Sequence, residues 1–115
     1  MPIPSQIVNY LTSNHYTNSS STITARDLAT HFGISDGGVE VEMRSDIRTA
    51  IISGELIGSN NRGYYIVTSL SEIEDNLNSL QSRAEGTLTR RRNLLNTWNH
   101  NNPTNQTPLT DLNVT

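Results

Sequence analysis

Arg44 and Arg48 stand four residues apart in the stretch VEVEMRSDIRTAII, and on a helix that spacing stacks two guanidiniums on one flank, a turn apart. Each guanidinium offers a planar fork of donors that fits phosphate oxygens or the edge of a guanine. Ser45 and Thr49, on the adjoining outward face, add hydroxyls that can bond to bases or backbone. A second polar group, Asn60, Asn61 and Arg62, supplies amide donors and one more guanidinium, and Thr24 with Arg26 stands at the start of an earlier helical pattern, where a phosphate could be held. The chemistry these types can do is hydrogen bonding to anions and base edges. Bond-making chemistry has little to stand on. His15, His31 and His100 are far apart with no metal-ligand spacing, and no cysteine is present as nucleophile or zinc ligand. GISDGG at 33–38 lacks the lysine and the preceding strand of a phosphate-binding loop. The expectation is a protein that is not an enzyme and takes no cofactor or metal.

These side chains need elements to hold them. In SQIVNYLTS, 5–13, Ile7, Val8 and Leu11 share a helical face with Tyr10 at its edge, and Ser5 is the expected cap. A polar loop, NHYTNSSST, follows at 14–22, then Ile23 as a minimal strand. Thr24 is a good N-cap for a second helix that puts Ala25, Leu28, Ala29 and Phe32 on one side. The glycines of GISDGG stop it and turn the chain.

A third helix is expected from Val39 to Ser53, with Met43, Ile47, Ala50 and Ile51 as its core stripe and Gly54 as its stop. At about 100° per residue, Val41, Ser45 and Thr49 point outward, Arg44 and Arg48 share one flank, and Glu42 and Asp46 share the other. Leu56 and Ile57 open a strand, SNNRG turns with Asn and Gly accepting the positive φ of a hairpin, and YYIV returns. Tyr64 and Tyr65 then face opposite sides. The arginine pair could equally serve as a surface partner of Glu40, and NNRG could be a turn and nothing more.

The stretch TSLSEIEDNLNSLQSRAEGTLTRRRNLLNTW reads as one long helix with a capping box in one of two registers, Ser69 with Glu72 or Ser71 with Glu74. Leu70, Leu77, Ala84, Arg91 and Trp98 fall at one heptad position, and Ile73, Leu80, Thr87 and Leu94 at the other. Thr87 and Arg91 interrupt this seam, and dimerisation is assigned to Leu70, Ile73, Leu77, Leu80, Ala84, Leu94 and Trp98, the alternative being that the helix packs entirely on its own domain's first helix. Arg90, Arg91 and Arg92 read as a solvated helix end that complements the dipole, or as a contact for a phosphate backbone. Residues 99–115 have almost no apolar content before Leu109 and are expected to be a disordered tail.

Net charge is −3, and all eight basic residues are arginine. Residues 1–69 carry six acids against four arginines, so any affinity for a polyanion from one copy is weak and salt-sensitive, and a dimer or larger assembly is needed. MPIPSQIVNYL lacks a basic segment followed by an apolar run, and no stretch approaches the roughly 20 apolar residues of a membrane span. The expected setting is cytoplasmic, with no membrane partner.

Helix, short strand, helix, helix and hairpin, in that order, is the plan of a winged helix-turn-helix. The run Met43, Arg44, Ile47, Ala50, Gly54, Leu56, Ile57, Ser59, Gly63, Tyr64 and Tyr65 resembles the helix-to-wing segment of winged-helix domains of the biotin-repressor type. The long helical stretch after it resembles the C-terminal helix of small winged-helix proteins carried by bacteriophages. The resemblance spans residues 22 to 98, and it departs from the pattern at Ala50, where a leucine is usual, and in the longer turn made by SDGG. It implies a mainly α fold with a small β-hairpin, a winged helix-turn-helix over 1–69 plus a long C-terminal helix over 70–98. It also implies a dimeric binder of duplex DNA, sequence-specific or architectural: a transcription regulator or replication-associated factor of a phage. The alternative is a phage protein-interaction module that binds and modulates a host complex.

Overall fold

The computed structural model describes residues 2–34 and 39–112. It is mainly helical, with one two-stranded hairpin and a long C-terminal helix among the described residues. The chain divides into two compact units, Met1–Asn76 and Leu77–Thr115.

In the first unit, α1 (Pro4–Ser13) buries Ile7 and Leu11 completely. Ser5 is not its cap. Pro4 occupies the first helical position, where its missing N–H costs nothing, and the Ile3 N–H donates to Gln6 Oε1 at 2.9 Å. Helix α2 (Ala25–His31) starts as expected on Thr24, whose side chain accepts from the Asp27 N–H at 3.1 Å. It buries Ala25, Leu28 and Ala29, and Gly33 turns out of it at φ +73°. The rest of the expected turn, 35–38, lies outside the described residues.

Helix α3 (Val39–Ile52) packs against α1, α2 and the hairpin. Met43, Ile47 and Ala50 are buried as their spacing predicts. Ile51, expected with them, is instead 46 % exposed. Ile51 and Asp46 lie on opposite flanks of the stripe, each well off its centre, and the body of the domain covers the Asp46 flank and leaves the other open. Gly54 at φ +109° ends the helix, with the Gly54 and Glu55 N–H groups donating to the Ile51 and Ala50 carbonyls.

Strands β1 (Ile57–Asn60) and β2 (Gly63–Ile66) pair antiparallel, Ile57 opposite Ile66 and Asn60 opposite Gly63. The turn works differently from the sequence expectation. Positive φ falls on Gly63 (+146°) and on neither asparagine, while Asn60 Oδ1 accepts from the Arg62 N–H at 2.9 Å and closes the turn with its side chain. The outer edge of β2 is not left open: Ile23 and Tyr64 exchange two backbone hydrogen bonds of 2.8 and 3.0 Å, and the Ile66 N–H donates to the Tyr16 carbonyl at 2.7 Å. Ile23 is therefore the minimal strand its position suggests, and it anchors the hairpin to the helical body.

Helix α4 (Leu70–Asn101) begins in the first unit. Of the two capping registers, the chain uses Ser69 with Glu72: the Glu72 N–H donates to Ser69 Oγ at 3.3 Å, and the Glu72 carboxylate accepts from the Thr68 N–H at 3.4 Å and the Ser19 N–H at 2.7 Å. One turn on, Asn76 Oδ1 accepts from the Ser59 N–H at 2.9 Å, and its Nδ2 donates to the Tyr65 hydroxyl at 2.8 Å and to the Glu72 carbonyl at 2.9 Å. Gly58 permits this clamp, because a Cβ there would come within 2.8 Å of Asn76 Nδ2.

In the second unit the helix continues to Asn101, beyond the expected end at Trp98. The segment after it, expected to be a free tail, turns back along the helix. Trp98 Nε1 donates to the Asn105 carbonyl (3.0 Å), the Thr107 N–H to Asn99 Oδ1 (3.0 Å), and Arg91 Nη1 to the Thr110 carbonyl (2.8 Å), and Arg92 Nε meets Asp111 Oδ2 at 2.6 Å. Asn, Thr and Pro cannot build a core, but they supply the side-chain and carbonyl partners that such a return needs.

Candidate functional site

The open flank of α3 and the facing side of the hairpin form one groove of about 410 Å³. Val41, Arg44, Ile47, Arg48 and Ile51 line it from α3, and Ser59 and Tyr64 from β1 and β2. Arg44 and Arg48 thus share one wall, as their spacing predicts. The hairpin is held opposite them by the Ile23 bridge and the Asn76 clamp, so the groove is a fixed feature of the first unit.

Charge on this wall is organised by Glu40. Its Oε2 lies 3.8 Å from Arg44 Nη2 one turn on, and its Oε1 lies 3.3 Å from Arg26 Nε on α2. Glu40 sits in the first turn of α3, where the helix dipole favours an acid. All three side chains are well exposed to water, so the pairs are weak and can be exchanged for another anion. Arg48 forms no ion pair among the described residues, which leaves it the freest cation in the groove.

The remaining predicted residues divide by what they already bond. Thr24 is occupied as the cap of α2, although its position at the surface agrees with the sequence reading. Thr49 Oγ1 donates to the Ser45 carbonyl at 3.1 Å, and the Ser45 side chain is exposed. Asn60 is turned inward at both ends of its amide, its Nδ2 donating to the Ser19 carbonyl at 2.9 Å and its Oδ1 accepting from Arg62. Arg62 Nη2 reaches the same Ser19 carbonyl at 3.2 Å from an exposed position, and Asn61 is exposed at the turn. Asn60 therefore shapes the turn, and Asn61 and Arg62 are what the turn presents.

Sequence reasoning missed the apolar half of the groove. Ile51 belongs to its wall, Val41 is 63 % exposed, and the neighbouring Ile52 is 86 % exposed. The signal was available: Val41, Arg48 and Ile52 fall on one side of α3 at helical spacing.

Two carboxylates depart from their ordinary ionisation. Burial, reinforced by the nearby Glu42, pushes Asp46 up, and its Oδ2 is buried with no hydrogen-bond partner among the described residues. Glu72 is held below the usual carboxylate range, chiefly by the Ser19 N–H and further by Thr68 and Ser69. Neither lies in the groove wall, and both belong to the frame behind it.

The heptad residues of α4 are largely open to water. Leu70, Leu77, Leu80 and Leu94 are each more than half exposed, Trp98 nearly so, Ala84 is exposed and Ile73 half-buried. No residue of this 32-residue helix is buried. No helix among the described residues is long and apolar enough to cross a membrane. Comparison with protein-family models, with curated proteins and with solved structures returns no match for this chain.

Proposed function

We propose that the chain binds duplex DNA as a winged-helix homodimer, with α3 entering the major groove and the hairpin turn reaching the backbone. The observation that carries this reading is the pairing of Arg44 and Arg48 on one exposed wall of α3, across from a hairpin that presents Asn61 and Arg62. Two forked cations one turn apart suit adjacent phosphates or a guanine edge, and Ser45 lies beside them for a further contact. Arg26 and Thr24 at the start of α2 stand where a flanking phosphate would be met.

Pairing through α4 supports the dimer. A helix of this length with a row of exposed leucines and nothing buried lacks the tertiary packing that normally stabilises helices. A second copy laid along Leu70, Ile73, Leu77, Leu80 and Ala84 would supply it. Two weak copies joined this way gain affinity by effective concentration and fix the spacing of two half-sites. The resemblance to phage winged-helix proteins extends the proposal to a regulatory or replication-associated role in a phage.

A second reading is favoured by one observation: Val41, Ile51 and Ile52 expose apolar surface on the face that also holds the arginines. Such a surface suits a protein partner, for instance in a host complex, better than a phosphate backbone.

Anisotropy of a mixed duplex pool at about 50 and 200 mM salt tests the choice. Binding that falls steeply with salt, and that Arg44→Gln with Arg48→Gln abolishes without unfolding, supports DNA contact through α3. Absence of binding at low salt by a folded dimer moves the assignment to a protein partner.

A further inference from the structure

Charge is divided unevenly along this chain. Residues 1–76 hold nine acids against four arginines, whereas residues 77–115 hold four arginines against two acids. The unit with the DNA-reading architecture is the one that repels a polyanion. The unit with no such architecture is the one that attracts it.

Within the second unit the arginines are unequally engaged. Arg83 and Arg90, seven residues apart and so nearly in line along α4, are exposed and form no ion pair among the described residues. Arg91 and Arg92 are half-buried. Their partners come from the return segment: the Thr110 carbonyl on Arg91 Nη1 at 2.8 Å, and the Asp111 carboxylate on Arg92 Nε at 2.6 Å. Between residues 77 and 101, the positions that lose exposure are Leu88, Arg91, Arg92, Leu95 and Asn99, a single helical stripe. The return segment bonds to three of the five. The segment holds on by one ion pair, a few polar bonds and the Trp98 indole N–H, with no buried apolar residue. Such a strap is easily displaced by a stronger anion.

We infer that the second half of α4 is a second contact for the phosphodiester backbone of nucleic acid, and that the chain's own segment around Asp111 occupies it as an internal competitor. The inference rests on the reading of this chain as a DNA binder. The Asp111 carboxylate and the Thr110 carbonyl take the positions on Arg92 and Arg91 that two phosphate oxygens would take. Arg83 and Arg90 lie on the other side of α4, so the exchange is confined to Arg91 and Arg92, where a phosphate backbone must displace the strap to bind. Binding by the acidic first unit is thereby helped by a basic partner in the same chain.

The experiment uses the full-length protein and a duplex of about 20 base pairs, read by anisotropy across a salt series, with Trp98 emission read in parallel. Trp98 is the chain's single tryptophan and is bonded to the strap, so its emission and its quenching by acrylamide report release. Asp111→Asn is expected to tighten binding about twofold to fivefold, the yield of breaking one exposed ion pair. Saturating DNA is expected to leave Trp98 more open to quenching. Arg91→Gln with Arg92→Gln is expected to lower the salt slope by about 2, one unit for each phosphate no longer neutralised.

If the native chain binds DNA and both variants match it, the inference is overturned, and the reading of α3 stands or falls on Arg44→Gln with Arg48→Gln alone. If the α4 variants act and the α3 pair does not, the contact is on α4 and the reading of α3 fails. If neither the native chain nor Asp111→Asn binds at 50 mM salt, both are refuted.

Discussion

Replacing Gly63 by alanine tests whether the hairpin is held where the groove needs it. Gly63 sits at φ +146°, and a Cβ there would lie 2.4 Å from the Ile23 carbonyl oxygen and 2.6 Å from its carbon. No rotamer relieves that clash, because both obstacles are backbone. Either the new residue keeps a dihedral that L residues rarely adopt, at about 1–3 kcal/mol, or the hairpin backs away from Ile23. Backing away breaks the two Ile23–Tyr64 hydrogen bonds, each worth about 1 kcal/mol. The expected loss is about 3 kcal/mol, a large part of the roughly 4–11 kcal/mol that a 76-residue unit can command. All four tyrosines lie in the first unit and the single tryptophan in the second. Urea unfolding followed in the tyrosine region of the near-ultraviolet dichroism spectrum therefore reads the loss in the first unit. Two other glycines calibrate the result. A Cβ on Gly86, inside α4, meets nothing within 4 Å, so Gly86→Ala should gain about 0.5–1 kcal/mol of helix stability. Gly33→Ala also meets nothing but keeps φ +73°, so it should lose about 1 kcal/mol from the dihedral alone. A Gly63→Ala protein within about 0.5 kcal/mol of the native one would refute the claim that the Ile23 bridge fixes the hairpin.

Asn76→Ala removes the partner of the Ser59 N–H and the Tyr65 hydroxyl together, and should cost about 1–3 kcal/mol in the same urea assay. Because Glu72 is held below its ordinary pKa of 4.5, its stabilising contribution is complete above that value and is lost as pH falls through its depressed one; Glu72→Gln should flatten the acid limb of a stability profile taken from pH 6 to 2. Asp46 has the opposite sign: its raised pKa means its contribution is greatest below 3.8 and is lost as pH rises, so Asp46→Asn should raise stability at pH 7 by about 1 kcal/mol, read by thermal melting. The proposed pairing through α4 predicts that the native chain sediments as a dimer and that Leu77→Asp with Leu80→Asp sediments as a monomer, since a charge there would face its own copy.

How much of this was legible in the residues depended on whether one periodicity or several decided the outcome. The helices and most of their buried faces followed from spacing, because Ile7 with Leu11, Ala25 with Leu28 and Ala29, and Met43 with Ile47 each repeat at helical intervals inside the core. The hairpin and the minimal strand at Ile23 followed from strand propensity and turn-forming residues, but the partner of Ile23 and the way the turn closes did not. What failed to show was decided by long-range partners. Ile51 and Asp46 flank the same stripe, and the sequence could not say which flank the rest of the domain would cover; the domain buried the carboxylate and exposed the isoleucine. Asn60 looked like a ligand-facing amide until Ser19, far away in the chain, claimed it. Arg44 could pair with Glu40 or with a phosphate, and Glu40 takes it together with Arg26.

These surprises share a physical cause, and it bears on function. Several polar side chains that cannot add to the core stitch loops to carbonyls instead, as Asn60 does at Ser19 and Thr68 at Thr17. In a chain so rich in them, a hydrogen-bonding residue type is weak evidence of a ligand, because the backbone is usually the nearer partner. Guanidiniums are the better guide. An arginine has more donors than one carboxylate or carbonyl can satisfy, so Arg44, Arg62, Arg91 and Arg92 keep free donors beyond the partners they already hold. Binding to an anion then requires no rupture of the fold around Arg44 and Arg48, and only displacement of a strap around Arg91 and Arg92. The arginines of the groove should therefore respond to DNA without a change in Trp98 emission, and those of α4 only with one.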